Sequence, residues 1–176
     1  DWFIRQPYNL LIMPKLKESS LEKLELKFKK LGITTGAFDA DETLFKTQTQ
    51  FDYVFADFAA YAHPILQSVN TLITIADVDS QLLSADEKSY KVRGPDPTRW
   101  DTTLEFLAKN YRQEQAILRE LMNGISIFES IYSSSPELHE GAIETLQVFA
   151  ACGLKTILVT LAEQNWTQMK VDKITL

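Results

Sequence analysis

Two aspartates and a threonine stand at alternate positions directly after a short apolar run. The run covers residues 33–38, and Asp39, Asp41 and Thr43 follow it in the stretch GAFDADETLF. Such a run is typical of a buried parallel strand, and parallel strands deliver functional residues at their carboxyl ends. Alternation along the strand puts the two carboxylates on one side. Asp39 could then attack phosphorus, and Asp41 could donate and withdraw the proton that the leaving group and water need.

The stretch FDADETL at residues 38–44 resembles the first motif of the haloacid dehalogenase (HAD) superfamily, an apolar strand followed by Asp-x-Asp-x-Thr. The resemblance implies that Asp39 forms an aspartyl-phosphate and that Asp41 is the general acid/base. It also implies that Thr43 shapes the loop and helps to bind the phosphate. Members that cleave carbon–halogen bonds lack the second Asp, so phosphoryl transfer is favoured. The family's Mg²⁺ would be held by Asp39 and the backbone carbonyl of Asp41, and would offset the repulsion between carboxylate and phosphate.

A second Asp-x-Asp pair provides an internal comparison. Asp77 and Asp79 also follow an apolar run, but Gln81 stands where the hydroxyl residue should be. An isolated pair of this kind is common in loops and at helix starts. We therefore expect the second pair to have no part in the chemistry.

A second apolar run, residues 154–160, ends in Thr160. A hydroxyl at the end of a strand beside the first could donate to a phosphate oxygen. Thr160 resembles the second motif of the family, which has this role, although Leu161 stands where an Asn is often found. The alternative is that Thr160 only ends a strand, because β-branched residues are common in strands.

The family pattern further requires a Lys that neutralises the phosphate and an acidic pair on a later strand. Lys170 and Lys173 lie on the helix directly after the second motif, and we do not assign them this role. Without the later strand, an apolar strand would have an exposed edge. Because the initiator Met is also missing, we expect a fragment of a longer chain. Otherwise a second copy or a partner chain would complete the sheet.

The predicted fold is α/β, a Rossmann-like HAD core with a parallel sheet and an inserted, mainly helical cap. The core comprises residues 1–46 and 134–176, incomplete at the C-terminus, and the cap comprises residues 47–133. An apolar stripe predicts a helix from about residue 51 that is interrupted or ends near Pro64. Residues 69–83 suit either helix or strand, and the polar run 84–101 predicts a loop. The alternative to a cap is a helical subdomain with no gating role.

Composition excludes several classes of protein. The net charge of -6 and the pI near 5.0 argue against a nucleic-acid partner. There is no run of about 18 apolar residues, so we expect no membrane segment. The single cysteine, Cys152, predicts a buried thiol in a reducing compartment, and hence a cytoplasmic protein. His63 and His139 have no companions at metal-ligand spacing.

Together these features predict a magnesium-dependent phosphomonoester hydrolase that acts on a small phosphorylated metabolite through an aspartyl-phosphate. The stretch FDADETLF closely resembles the first motif of HAD nucleotidases, which suggests a nucleoside monophosphate as substrate. A phosphomutase is the nearest enzymatic alternative. The other alternative is a non-catalytic, truncated HAD-like domain that binds a phosphorylated ligand or a partner chain.

Overall fold

The computed structural model describes residues 18–175, which form a mixed α/β and mostly helical structure. Residues 8–14, whose sequence suits either an irregular strand or an extended arm, lie outside the described residues. In chain order the elements are α1 (Glu18–Lys30), β1 (Thr35–Asp39), α2 (Thr47–Gln67), α3 (Ile75–Arg93), α4 (Arg99–Ala108), α5 (Glu114–Met122), α6 (Ile125–Glu129), a 3₁₀ turn (Ser130–Ser133), α7 (Ala142–Ala151), β2 (Lys155–Val159) and α8 (Gln164–Thr175). None of the helices in this part of the chain is both long and apolar enough to cross a bilayer.

The chain divides into two compact units. Within the described range, the first unit comprises residues 18–47, 136–160 and 167–175, and contains both strands. The second unit comprises Gln48–Ser135 and Leu161–Trp166 and is helical. The chain therefore leaves the first unit directly after Thr47, where α2 begins.

Strands β1 and β2 pair in parallel, as predicted, with Thr35 opposite Lys155 and Asp39 opposite Val159. The pairing continues one residue further, because the amide of Ala40 donates to the carbonyl of Val159 over 3.0 Å. The carboxyl ends of both strands therefore meet at one edge of the sheet, where Asp39 and the residue after Val159 are neighbours.

The expectation that the first strand is buried is wrong. Its residues alternate, with Thr35, Ala37 and Asp39 exposed and the two residues between them partly buried. Phe38 points towards α7, where its ring lies 5.0 Å from that of Phe149. Only one face of β1 is therefore covered, which gives the period of two that a half-buried strand shows.

The core of the first unit forms around the loop that follows β1. Its buried residues are Ala40, Leu44, Phe45, Ala142 and Leu146, and four partly buried side chains pack against them: Phe38, Leu138, Leu158 and Ile174. Ala40 and Phe45 have no exposed surface. The loop that carries the acidic residues is thus part of the hydrophobic core.

In the helical unit, aromatic rings stack on one another. The rings of Phe58 and Trp100 both stack on the ring of Phe128, with centroid-to-centroid distances of 4.3 and 4.6 Å. Helix α2 continues past Pro64 to Gln67, so of the two predicted alternatives an end of the helix at the proline is wrong. Leu66 is fully buried and extends the apolar stripe by one turn. Burial of this side chain offsets the backbone hydrogen bond that is lost because proline has no amide proton.

The predicted loop at residues 84–101 is wrong at both of its ends, because α3 runs on to Arg93 and α4 begins at Arg99. Helix α3 buries one stripe, which consists of Val78, Leu82, Ala85 and Ser89. The charged residues of its second half, Glu87, Lys88, Lys91 and Arg93, are exposed. It begins with a capping box in which Thr74 and Asp77 bond each other's backbone amides. The second Asp-x-Asp pair therefore starts a helix.

Candidate active site

The loop after β1 is closed by its own backbone. The amides of Leu44 and Phe45 both donate to the carbonyl of Ala40 over 3.0 Å, and the amide of Glu42 donates to the carbonyl of Phe45 over 2.9 Å. Glu42 has a φ of 58°, in the left-handed region that side chains other than glycine rarely adopt. This tight turn sends the residues on either side of Glu42 towards the edge of the sheet.

A second segment holds this loop from outside. The amide of His139 donates to the carbonyl of Leu44 over 2.8 Å, and the amide of Lys46 donates to the carbonyl of Glu137 over 2.7 Å. The ring of His139 lies 3.9 Å from the Glu42 carboxylate, measured from Nε2 to Oε2. The loop is thus fixed at both of its ends and on its outer side.

Asp39 and Thr43 are brought together at the end of β1. The hydroxyl of Thr43 donates to Oδ2 of Asp39 over 3.3 Å, and both side chains are exposed. Thr43 thus orients the carboxylate predicted to be the nucleophile. Because Asp39 is open to solvent, an incoming phosphate could reach it without movement of the core.

Asp41 is held by donors from three separate stretches of the chain. The hydroxyl of Thr47 donates to Oδ1 over 2.8 Å, and the hydroxyl of Thr160 donates to Oδ2 over 2.9 Å. The ammonium of Lys170 also donates to Oδ1. Thr160, expected at the phosphate, therefore lies at the predicted edge with its hydroxyl on Asp41. The two oxygens of this carboxylate are held from opposite sides.

Lys170 has no exposed surface, while about a third of the Asp41 side chain, 33%, is exposed. Burial lowers the pKa of Lys170, and the charges of Asp41 and Asp39 oppose that shift. Burial alone would raise the pKa of Asp41, but the bonds from Lys170, Thr47 and Thr160 outweigh it, so its pKa is lowered. Asp41 is therefore a carboxylate at neutral pH, balanced by an adjacent ammonium.

Lys170 and Thr47 are the site residues that sequence reasoning missed. In the sequence, the place of Lys170 directly after the second motif argues against a role at the phosphate. A signal was present, since Trp166, Lys170 and Ile174 recur at four-residue spacing on α8, which puts the Lys between two apolar residues of one helical face. Thr47 gave no such signal beyond its place just before a helical pattern. Lys173, the other Lys of α8, donates to the carbonyl of Pro136 over 2.7 Å.

The oxygen ligands of the site suit a hard cation. Mg²⁺ is usually bound by one or two carboxylates together with water and substrate phosphate. Asp39 offers such a carboxylate. The carboxylate of Asp41 already accepts three hydrogen bonds, so it is less available than Asp39 to bind a cation. Between residues 18 and 175 there is no group of three or more His, Cys, Asp or Glu side chains that could hold a metal ion.

Comparison of the sequence with models of protein families gave no match, and neither did comparison with curated proteins. The interpretation of this edge of the sheet therefore depends on its residues and their geometry.

Proposed function

We propose that the protein is a HAD-type phosphomonoester hydrolase, with a Rossmann-like core and a helical cap, that acts on a small phosphorylated metabolite. One observation supports this most: two carboxylates at the carboxyl edge of parallel strands, with hydroxyls on both and a buried ammonium on one. This is the set of groups that nucleophilic attack on a phosphate ester requires.

In the proposed reaction, an oxygen of Asp39 attacks phosphorus and the bond to the ester oxygen breaks, which leaves an aspartyl-phosphate. Because Asp41 is deprotonated at rest, it must first take up a proton, which a bound phosphate monoanion can supply. It gives this proton to the departing oxygen and then withdraws one from the water that releases phosphate. The ammonium of Lys170 stabilises negative charge on the phosphate. Bound Mg²⁺, held by Asp39 and the backbone carbonyl of Asp41, would neutralise charge between the carboxylate and the phosphate.

Two alternatives remain as proposals. The likeness of FDADETLF to nucleotidase motifs favours a nucleoside monophosphate as substrate. A phosphomutase would use the same groups to transfer the phosphate to a second hydroxyl instead of to water. A binding module without turnover is favoured by a different observation, the ion pair of Asp41 and Lys170, since this pair leaves the acid/base in its deprotonated form.

The test is hydrolysis of p-nitrophenyl phosphate and of a panel of nucleoside monophosphates, each with Mg²⁺ and with EDTA. We expect turnover that needs Mg²⁺ and that falls by roughly a thousandfold or more in Asp39→Asn, which removes the nucleophile. Asp79→Asn is the matched control, because it makes the same change in the second Asp-x-Asp pair. Turnover that survives both EDTA and Asp39→Asn would contradict the proposal, and phosphate binding without turnover would favour the binding module.

A further inference from the structure

Thr47 is a buried polar residue with a specific partner. It is the first residue of α2, and only 7% of its surface is exposed. A Thr at a helix start commonly caps the helix with its side-chain oxygen. Capping uses the oxygen as an acceptor and leaves the hydroxyl proton available, and this proton goes to Oδ1 of Asp41, over 2.8 Å. A buried hydroxyl needs such a partner, and this one is the acid/base of the proposed reaction.

The backbone sets the distance between these two residues. The amide of Thr47 donates to the carbonyl of Phe45 over 2.9 Å, and Phe45, which has no exposed surface, is bonded in turn to Ala40. The segment from Ala40 to Thr47 is therefore one tight turn anchored in the hydrophobic core. This turn brings Thr47 close to Asp41, and the contact is completed by two short side chains.

Thr47 and Thr160 hold different oxygens of the same carboxylate. Rotation of the carboxylate plane would break both bonds at once, so the two hydroxyls fix its orientation. Lys170 shares Oδ1 with Thr47 but differs from it in charge. A phosphate dianion attracts an ammonium strongly and a neutral hydroxyl much less. The hydroxyl bond can therefore persist while the substrate is bound.

We propose that Thr47 is a positioning residue that keeps Asp41 oriented for proton transfer during turnover; this inference rests on the proposed function. Thr47→Val keeps the shape of the side chain and removes the hydroxyl. It is expected to lower kcat about tenfold, the value of one hydrogen bond, with KM within about twofold of the wild type. Thr47→Ser, which keeps the hydroxyl, restores kcat. Lys170→Met is expected to raise KM as well as lower kcat, because it removes charge that attracts the phosphate and a donor to Asp41.

The experiment measures kcat and KM for p-nitrophenyl phosphate in the wild type, Thr47→Val, Thr47→Ser and Thr49→Val. Thr49 is exposed and lies on the same helix, so its variant controls for the effect of Val on helix stability. A kcat in Thr47→Val equal to that of Thr49→Val would overturn the inference. So would a rise in KM alone, or a Thr47→Ser variant as slow as Thr47→Val.

A second measurement separates failure of the inference from failure of the proposed function, because it needs no turnover. The hydroxyl proton of a buried, hydrogen-bonded Thr exchanges slowly with water and can be observed by NMR. We expect a slowly exchanging hydroxyl proton at Thr47 that disappears in Thr47→Val and exchanges faster in Asp41→Ala. If the wild type turns over no substrate but shows this proton, the proposed function fails and the contact stands. A rapidly exchanging Thr47 hydroxyl would overturn the inference whether or not the protein is active.

Discussion

The ammonium of Lys170, on α8, donates a hydrogen bond to Oδ1 of Asp41, in the loop after β1, across 129 positions of sequence. The Lys side chain is fully buried, and the carboxylate is the partner that makes burial of its charge tolerable. The pair joins the last described helix to the loop that carries the proposed nucleophile and acid/base.

Lys170→Met is expected to lower the free energy of unfolding by about 2 kcal/mol, because it leaves the Asp41 carboxylate without its counter-charge. The figure is below that for a fully buried pair since water reaches part of Asp41. Urea unfolding measures it. Lys173→Met is the matched control on the same helix, because Lys173 donates to a backbone carbonyl, which carries no net charge. Equal stabilities of the two variants would contradict the importance of the ion pair.

Gly36→Ala is expected to destabilise the first unit by about 1–3 kcal/mol through overpacking. A Cβ at this position would lie 2.7 Å from Cδ1 and Cε1 of Phe149, whose ring packs against Phe28 and Phe38. Phe149→Leu makes room, so Gly36→Ala should cost less in that background. Thermal unfolding of the four proteins of this cycle measures the difference, and additive effects would contradict the close approach.

Arg99→Lys is expected to lower the free energy of unfolding by about 1–2 kcal/mol, although charge is conserved. The Arg99 guanidinium carbon lies 3.9 Å from the centre of the Trp100 ring, and Nε donates to Oδ1 of Asp86 over 3.1 Å. An ammonium cannot stack flat on the ring and bond the carboxylate in the same way. Arg93→Lys, at an exposed position of α3, is the control for urea unfolding. An Arg99→Lys protein as stable as this control would count against the stacking.

The capping box of α3 predicts a dependence of stability on pH. Hydrogen bonds from the side chain and amide of Thr74 lower the pKa of Asp77 below its ordinary value of 3.8. Since the folded-state pKa is below the unfolded one, this contribution is present above about pH 3.8 and is lost as the pH falls through the folded value. Asp77→Asn should therefore unfold at lower urea concentration than the wild type at pH 7, and the gap should narrow below pH 3.8. A gap that is unchanged across this range would contradict the cap.

Part of the fold could be predicted from sequence because it follows from local patterns. Apolar runs ending near Asp39 and Thr160 predicted two parallel strands, and the structure pairs them with Asp39 opposite Val159. The extension of α3 through residues 84–93 could not be predicted in the same way. This part of α3 buries only Ala85 and Ser89, and their burial comes from packing against α4 in the folded helical unit.

The candidate site likewise combines contacts that are local in sequence with contacts that only folding creates. The sequence by itself determined that Asp39, Asp41 and Thr43 share one loop, because residues two positions apart after a strand end cannot be far from each other. Only the tertiary structure decided that Asp41 meets Thr160 and Lys170, which lie 119 and 129 positions away. Such pairs depend on how the core of the first unit packs and on which groups burial leaves in need of a partner, and neither is visible in the order of residues.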